Sequence, residues 1–312
     1  MYFLCYLGSS TSHAQKIEHL ASYSDLQSDS YVRFNYDNDY FAATDENYTQ
    51  GYNFELVIPC FEKNPLNHVL IHPTNTINTY GVTLEHIGYT PNHYERPEIQ
   101  IGDRPFAAAL MLKSFVVATD PIHKHRWVSS LSLGLIGPGA FGEEMQVGIH
   151  KATGNKVPLG WQHQIKNDLV LNYQLGYEKQ LLKYREFFTL QALSNVQLGT
   201  LFTNASLGFN STLGLVHTSF TNSKKGFALY LYAQPQVRIV GYDATLQGGV
   251  FNKRSPYTIA NSDIERCTAQ LDYGLVLQSR TLYIEFSRSL ITREISTLGS
   301  AAWGGMAFGF TF

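Results

Sequence analysis

The chain has 312 residues, of which 44% are hydrophobic and only 15% charged, and its formal net charge is -2. This balance gives no support for nucleic-acid binding, which depends on basic surfaces that neutralise phosphates. Aromatic residues reach 13%, and the charged fraction is well below the roughly 25% of soluble domains. No apolar stretch approaches the roughly 18 residues of a spanning helix. The composition therefore favours a chain that crosses a membrane as a closed barrel, because only helices and barrels satisfy their backbone groups in lipid.

The N-terminus begins with a short apolar run, Tyr2 to Leu7, followed by small residues that end at Ala14. The pattern is typical of a signal-peptidase site, although the basic segment that normally precedes the apolar run is missing. We therefore expect three segments: a truncated signal peptide (1–14), an N-terminal lead-in (15–29) and one barrel domain (30–312).

Twelve alternating runs bounded by turn residues follow along the chain. An even number fits single-chain bacterial barrels, and most runs have the roughly 9–11 residues of a tilted spanning strand. We therefore predict an all-β protein, a 12-stranded antiparallel transmembrane β-barrel with a short helix in an extracellular loop. The predicted strands are Tyr31–Asp37, Tyr48–Ile58, Thr79–Ile87, Pro105–Ala118, Arg126–Ile136, Leu169–Leu181, Phe187–Gln197, Leu201–Leu215, Phe227–Val240, Cys267–Gln278, Leu282–Leu290 and Trp303–Phe312.

Polar, Gly/Pro-punctuated segments are concentrated in three connections of this predicted barrel. If both termini lie in the periplasm, the connections after strands one, three and five lie at the cell surface, within residues 38–47, 88–104 and 137–168. Three such loops at one rim predict a functional site there, since binding residues are often carried by loops on a rigid scaffold.

The first of these loops is rich in oxygen donors. Asn38, Asp39 and Asp45 lie close together in sequence, and carboxylate and amide oxygens are the ligands that hard cations such as Ca²⁺ prefer. The spacing is not that of an EF-hand. A solvated hairpin loop rich in Asn and Asp is the alternative reading.

The third loop predicts a helix over Glu143–Thr153, with Gly154 as its C-terminal cap. Gln146 and His150 are four residues apart and therefore share a face of this helix. An imidazole beside an amide suits general-base chemistry on water, whereas the alternative is an ordinary surface histidine. Trp161, in the same loop, is interpreted as an interfacial anchor or as a lid over an acyl chain.

The second loop contains Arg104, immediately before the fourth predicted strand. At the outer rim, a guanidinium can bind a lipid phosphate with two hydrogen bonds. The alternative is a turn in which Arg104 pairs with Asp103.

The chain ends with alternating large apolar and small side chains from Met306 to Phe312. A period of two predicts a strand with one apolar face, and a final phenylalanine is typical of the closing strand of outer-membrane barrels. A buried strand of a soluble sandwich is the alternative.

In this order, the loop motifs resemble those of the lipid A 3'-O-deacylase family of outer-membrane barrels (LpxR-type), over most of residues 30–312. The resemblance rests on four passages: Asn38-Asp39-x-Phe41 with Thr44-Asp45-x-x-Tyr48-Thr49-x-Gly51; Tyr89-Thr90-Pro91 with Asp103-Arg104-Pro105-Phe106-Ala107; Gly137-Pro138 through Gln146-x-x-x-His150; and Gly160-Trp161-x-x-Gln164 with Asn167-Asp168. Two departures are mild. The family more often has Tyr-Ala-Gly where Phe106-Ala107-Ala108 stands, and Asn-Glu where Asn167-Asp168 stands.

The resemblance implies a calcium-dependent esterase of the outer membrane that removes the 3'-linked acyloxyacyl chain of lipid A. His150 would be the general base and Gln146 would orient water or substrate. Asn38, Asp39 and Asp45 would hold Ca²⁺, and Arg104 and Trp161 would contact the substrate. The expected partners are lipid A or lipopolysaccharide and outer-membrane lipids, with no nucleic acid, and the expected state is a monomer.

Two other classes of protein remain as alternatives. An outer-membrane phospholipase would use Ser, His and Asn, but the only His-x-Ser sequence, His217-Thr218-Ser219, falls in a predicted periplasmic connection. A non-enzymatic pore or adhesin needs no histidine on a loop helix.

Overall fold

The computed structural model describes residues 20–38, 48–216, 220 and 226–312. The predicted signal peptide, Asp39, Asp45 and the His217-Thr218-Ser219 sequence lie outside these residues. Within them, twelve antiparallel strands form one closed barrel, in which β1 pairs with both β2 and β12. The predicted fold class is therefore confirmed. The strands are β1 (Tyr31–Asn38), β2 (Tyr48–Val57), β3 (Ile77–Tyr89), β4 (Ala107–Asp120), β5 (His125–Ile136), β6 (Asp168–Tyr184), β7 (Phe188–Gly199), β8 (Phe202–Leu215), β9 (Ala228–Asp243), β10 (Cys267–Gln278), β11 (Leu282–Ile291) and β12 (Ala301–Thr311).

Alternation along each strand separates a polar lumen from an apolar outer face. On the lumen side, the buried Arg33 forms an ion pair with Glu55 at 3.0 Å, and Lys113 pairs with Glu85 at 2.9 Å. On the outer face, Phe54 is 53% exposed. A side-chain period of two on a sheet with one face in lipid requires this division. The register therefore identifies which residues of each strand face outward.

The N-terminal lead-in enters the barrel lumen. Residues 20–27 pack against lumen-facing side chains, where the backbone N–H of Ser22 donates to Glu178 at 2.9 Å. The ring of Tyr23 stacks on Tyr232 with centroids 3.9 Å apart. This segment fills the end of the lumen at which β1 begins, which the sequence did not predict.

Four connections at the opposite end of the barrel, which we call the long-loop end, comprise residues 90–106, 137–167, 244–266 and 292–300. A further long connection, residues 58–76 between β2 and β3, lies at the end where β1 begins. The predicted helix, α1 (Gly142–Thr153), belongs to the β5–β6 connection and ends at Gly154, whose φ of 75° is the left-handed conformation expected of a C-terminal cap. A four-residue helix, α2 (Ala244–Gln247), follows β9. Among the described residues, no helix is long and apolar enough to cross a membrane.

Candidate active site on the outer barrel wall

Asn38 lies on the outer face of the barrel and not in the lumen. Residues of β1 alternate, so that Asp37 is buried on the lumen side while Asn38 and Tyr36 share the outer face. The Nδ2 group of Asn38 donates a hydrogen bond to the hydroxyl of Tyr36 at 3.0 Å. The predicted ligands Asp39 and Asp45 lie outside the described residues, so their positions relative to Asn38 remain predictions.

Helix α1 packs on the same outer face, over β4. Ala108 pairs with Gly88 of β3 and has the opposite orientation to the lumen-facing Lys113. A Cβ added to Gly142, at the start of α1, would overlap the side chains of Ala108 and Trp161. Because Gly142 has no side chain, the first turn of α1 lies closer to the wall than any other residue type would allow.

The two predicted helix residues are both buried and both have ordered partners within the β5–β6 connection. The Nε1–H of Trp161 donates to Oε1 of Gln146 at 2.7 Å, and Trp161 is only 1% exposed. The Nδ1 atom of His150 lies 2.6 Å from the carbonyl oxygen of Lys156, and the ring of Tyr94 meets the imidazole edge-on at 5.2 Å. The loop thus fixes the orientation of both side chains.

The contact between His150 and Lys156 determines which imidazole nitrogen carries the proton. A backbone carbonyl can only accept a hydrogen bond, so Nδ1 must be the donor. In the neutral imidazole, Nε2 is then the unprotonated nitrogen, as a general base requires.

Between Asn38 and α1, the outer wall is formed by β2 and β3. Gln50 and Gly88 are paired across these strands, and a Cβ added to Gly88 would meet its nearest atom, Cγ of Gln50, at 3.7 Å. The strands that carry Asn38 and Ala108 are three steps apart, or about 14 Å at the usual strand spacing of roughly 4.8 Å. Asn38 and α1 therefore flank the strip of outer wall that carries Gln50 and Gly88, which we call the wall crevice.

A histidine that sequence reasoning did not single out lies at the edge of this crevice. His86, on the outer face of β3, is 4% exposed, and its Nε2 lies 3.0 Å from the carbonyl oxygen of Ala140. Ala140 belongs to the turn that precedes α1. The imidazole therefore holds the start of the helical loop against the wall. The signal for His86 in the sequence is the alternation of β3, which assigns its side chain to the outer face.

Arg104 occupies a different environment from the predicted one. Its guanidinium is buried, donates to Thr245 at 2.9 Å and to Glu294 at 3.3 Å, and lies 3.8 Å from Asp243. Its Cζ is 4.0 Å from the centroid of Tyr89, a lumen-facing residue. In this conformation, the guanidinium joins the loops over the long-loop end of the lumen and does not face the wall crevice. Asp243 and Glu294 compensate the positive charge of the buried guanidinium, which explains why Arg104 faces these loops.

The preceding residue, Asp103, contacts the backbone of Arg104. Its Oδ1 accepts from the N–H of Arg104 at 2.6 Å, and its Oδ2 accepts from Asn92 at 3.0 Å. Burial raises the pKa of the Asp103 carboxyl, against the lowering effect of these two hydrogen bonds. The contact agrees with the alternative reading of this segment as a turn.

Trp161 is also more enclosed than predicted. It packs on Phe106 with ring centroids 5.0 Å apart, in a cluster with Tyr94, Ala108 and Ala140. In this conformation, the indole supports Gln146 from within the loop and does not face lipid. Its predicted contact with an acyl chain stays a prediction.

A family model described as outer membrane protein LpxR matches residues 1–312. The chain belongs to the LpxR family. This membership confirms the resemblance found in the loop motifs, and with the barrel fold it supports a location in the outer membrane.

Solved structures agree with membership of the LpxR family. The barrel is similar to LpxR from Salmonella typhimurium, with a TM-score of 0.73 and 19% identity, over 90% of this chain and 100% of that one. It is also similar to the beta domain of the Bordetella autotransporter BrkA, with a TM-score of 0.50 and 8% identity, over 91% and 98% of the two chains. At these identities, the likeness establishes the fold alone. No curated protein sequence matches the chain significantly.

The side chains near Asn38 are compatible with a hard cation. The amide nitrogen of Asn38 donates to Tyr36, so its carbonyl oxygen lies on the other arm of the planar amide group. Among the described residues, no three His, Cys, Asp or Glu side chains gather into a metal site. Amide and carboxylate oxygens, such as those of Asn38 and of the acidic residues in the following loop, favour Ca²⁺ over Zn²⁺ as the bound metal.

Proposed function

We propose that this protein hydrolyses the 3'-linked acyloxyacyl ester of lipid A in the outer leaflet of the outer membrane. Membership of the LpxR family supports this reaction class. The observation that carries the mechanism is the 2.6 Å contact between Nδ1 of His150 and the carbonyl oxygen of Lys156. It holds an imidazole in the tautomer of a general base, on a helix that packs on the outer wall. In this proposal, the long-loop end faces the cell exterior.

In the proposed reaction, Nε2 of His150 removes a proton from water as the water oxygen attacks the ester carbonyl carbon. The tetrahedral intermediate then expels the sugar oxygen, and the imidazolium returns its proton to that oxygen. The products are a free fatty acid and the sugar hydroxyl. During this cycle, the Lys156 carbonyl accepts the Nδ1–H throughout and stabilises the transient positive charge on the ring.

Gln146 would orient the reacting water or the ester. The indole of Trp161 holds its amide in one orientation by donating to Oε1. The amide is one turn of α1 from His150, so both groups act on the same side of the helix.

Ca²⁺, when bound by Asn38, Asp39 and Asp45, would polarise the ester carbonyl and stabilise negative charge on its oxygen. The chain's own contribution would be these oxygen donors, of which Asn38 lies on the outer face of β1. No nucleophilic serine is needed in this scheme, and the sequence contains no Gly-x-Ser-x-Gly elbow.

A pore is less compatible with the described residues than an enzyme. Residues 20–27 fill one end of the lumen, and the loops joined by Arg104 pack over the other. The candidate site lies outside the lumen, where a transported solute would not meet it.

Mass spectrometry of lipid A from cells with and without this gene tests the proposal. The proposed reaction removes one acyloxyacyl unit from lipid A and leaves its partner chains intact. An unchanged lipid A profile, with the barrel present in the outer membrane, would overturn it.

A further inference from the structure

Four aromatic side chains form two tiers on the outer face of β1 and β2. The upper tier consists of Tyr36 and Tyr52, which are direct cross-strand partners with ring centroids 5.1 Å apart. The lower tier consists of Phe34 and Phe54, the next cross-strand pair, with centroids 4.6 Å apart. Phe34 also stacks on Tyr52 at 6.4 Å, which joins the tiers. We call these four residues the aromatic ladder.

The ladder is continuous with the wall crevice. Its upper tier is hydrogen-bonded to two crevice residues, since Tyr36 accepts from Asn38 and the hydroxyl of Tyr52 donates to Gln50 at 3.0 Å. Along β1, the tiers follow Asn38 at steps of two and four residues, or about 7 and 13 Å at the rise of a strand. The ladder therefore runs from the crevice towards the middle of the barrel wall.

The ladder is not part of a uniform aromatic girdle. Phe54 pairs with Leu84 of β3, and the same level of the sheet continues outward-facing through Leu112, Leu133 and Leu171. An interfacial girdle would place aromatic residues around the barrel at one depth. In this row the leucines follow on the β3 side, while on the β12 side Phe34 pairs with Phe308 and the row continues as Ile284, so its rings are confined to β12, β1 and β2.

We propose that the aromatic ladder binds the hydrocarbon chain that is released from lipid A and sets which chain lengths are accepted. The inference rests on the function proposed above. An ester held in the crevice beside Asn38 must direct its acyl tail towards the bilayer centre, along β1 and β2. Rigid rings offer that tail a large apolar contact area at low cost in side-chain entropy. A tail too short to reach Phe34 and Phe54 loses the contacts of the lower tier.

The test measures competition between two lipid A preparations that differ only in the length of the 3'-linked acyl groups. Purified protein in mixed micelles is assayed for the ratio of kcat/KM on the long-chain and short-chain substrates. The variants are Phe54→Ala and Phe34→Ala, with Phe54→Leu as a milder change. Phe209→Ala is the matched control, because Phe209 is 49% exposed on the outer face of β8, close to the 53% of Phe54.

We expect the wild type to favour the chain that reaches the lower tier, and Phe54→Ala to reduce the long-to-short ratio about tenfold. Phe209→Ala should leave the ratio within about twofold of wild type. Heat-modifiable migration verifies folding, and if an alanine variant fails to fold, a reduced ratio for Phe54→Leu supports the proposal equally. An active wild type whose ratio is unchanged in the folded ladder variants overturns this inference alone. A wild type that deacylates neither substrate overturns the proposed function itself.

Discussion

The indole nitrogen of Trp161 lies 2.7 Å from the side-chain oxygen of Gln146, and the two residues are 15 positions apart in one loop. This contact ties the segment after α1 back to the helix. Because Trp161 is buried against Phe106, the orientation of Gln146 is linked to the packing of the loop on the outer wall.

Trp161→Phe tests this link. The substitution keeps an aromatic ring but removes the hydrogen-bond donor to Gln146, so we expect about a five- to tenfold loss of deacylation with unchanged barrel folding. Lipid A profiling measures activity, and heat-modifiable migration measures folding. Full activity in a folded Trp161→Phe variant would show that the orientation of Gln146 does not matter.

His150→Ala and His150→Asn should abolish deacylation and leave barrel assembly intact. His150 lies on a helix outside the barrel wall, so its loss costs the fold little, whereas removal of a general base typically costs a hundredfold or more. His93→Ala is the control, since the His93 side chain is 57% exposed in the neighbouring loop. Retention of more than about a tenth of wild-type activity in either His150 variant contradicts the assignment of the base.

Asn38→Ala and Asp39→Ala should both inactivate the enzyme, and EDTA should reproduce their effect on the wild type. Added Ca²⁺ should restore the EDTA-treated wild type but not the variants, because oxygen ligands select a hard cation. Asp37→Asn is a useful contrast, since Asp37 faces the lumen and should not be needed for metal binding. An enzyme that remains fully active in millimolar EDTA would refute the role of the metal.

Gly142→Ala should reduce activity strongly, whereas Gly148→Ala in the same helix should not. A Cβ on Gly142 would overlap Ala108 and Trp161, but a Cβ on Gly148 would meet nothing within 4 Å. We expect a displacement of α1 from the wall to cost about tenfold to a hundredfold in rate, while alanine at position 148 stabilises the helix by up to about 1 kcal/mol. Equal activities of the two folded variants would contradict the close packing of α1 on β4.

Deletion of Phe312 should impair insertion into the outer membrane more than Phe106→Ser does. Phe312 ends the chain after the closing strand and is 72% exposed, whereas Phe106 is 5% exposed and packs on Trp161 outside the barrel wall. The loss of Phe106 should therefore disturb the loop and activity, at a cost of up to about 3 kcal/mol of burial. Outer-membrane fractionation measures insertion, and equal yields for the Phe312 deletion and wild type would count against an assembly role for this terminus.

Sequence patterns alone predicted the strands because membrane barrels obey a strict local rule. Each strand alternates between lipid and lumen, and turn residues interrupt the pattern, so the bounds of β10 were predicted without error. The cap at Gly154 and the shared face of Gln146 and His150 are also local, since they depend on residues within one or two helical turns.

Contacts between distant segments were decided only by the tertiary structure. The ion pair between Arg104 and Glu294 joins residues 190 positions apart. The sequence around Arg104 does not show whether its guanidinium binds a buried carboxylate or a lipid phosphate. Alternation likewise states which residues of a strand share a face, but not that α1 packs on the outer face at Ala108. The wall crevice therefore depends on two features together: the pairing of β1 to β4, which places Asn38 three strands from Ala108, and the packing of the β5–β6 connection back onto the outer face of β4.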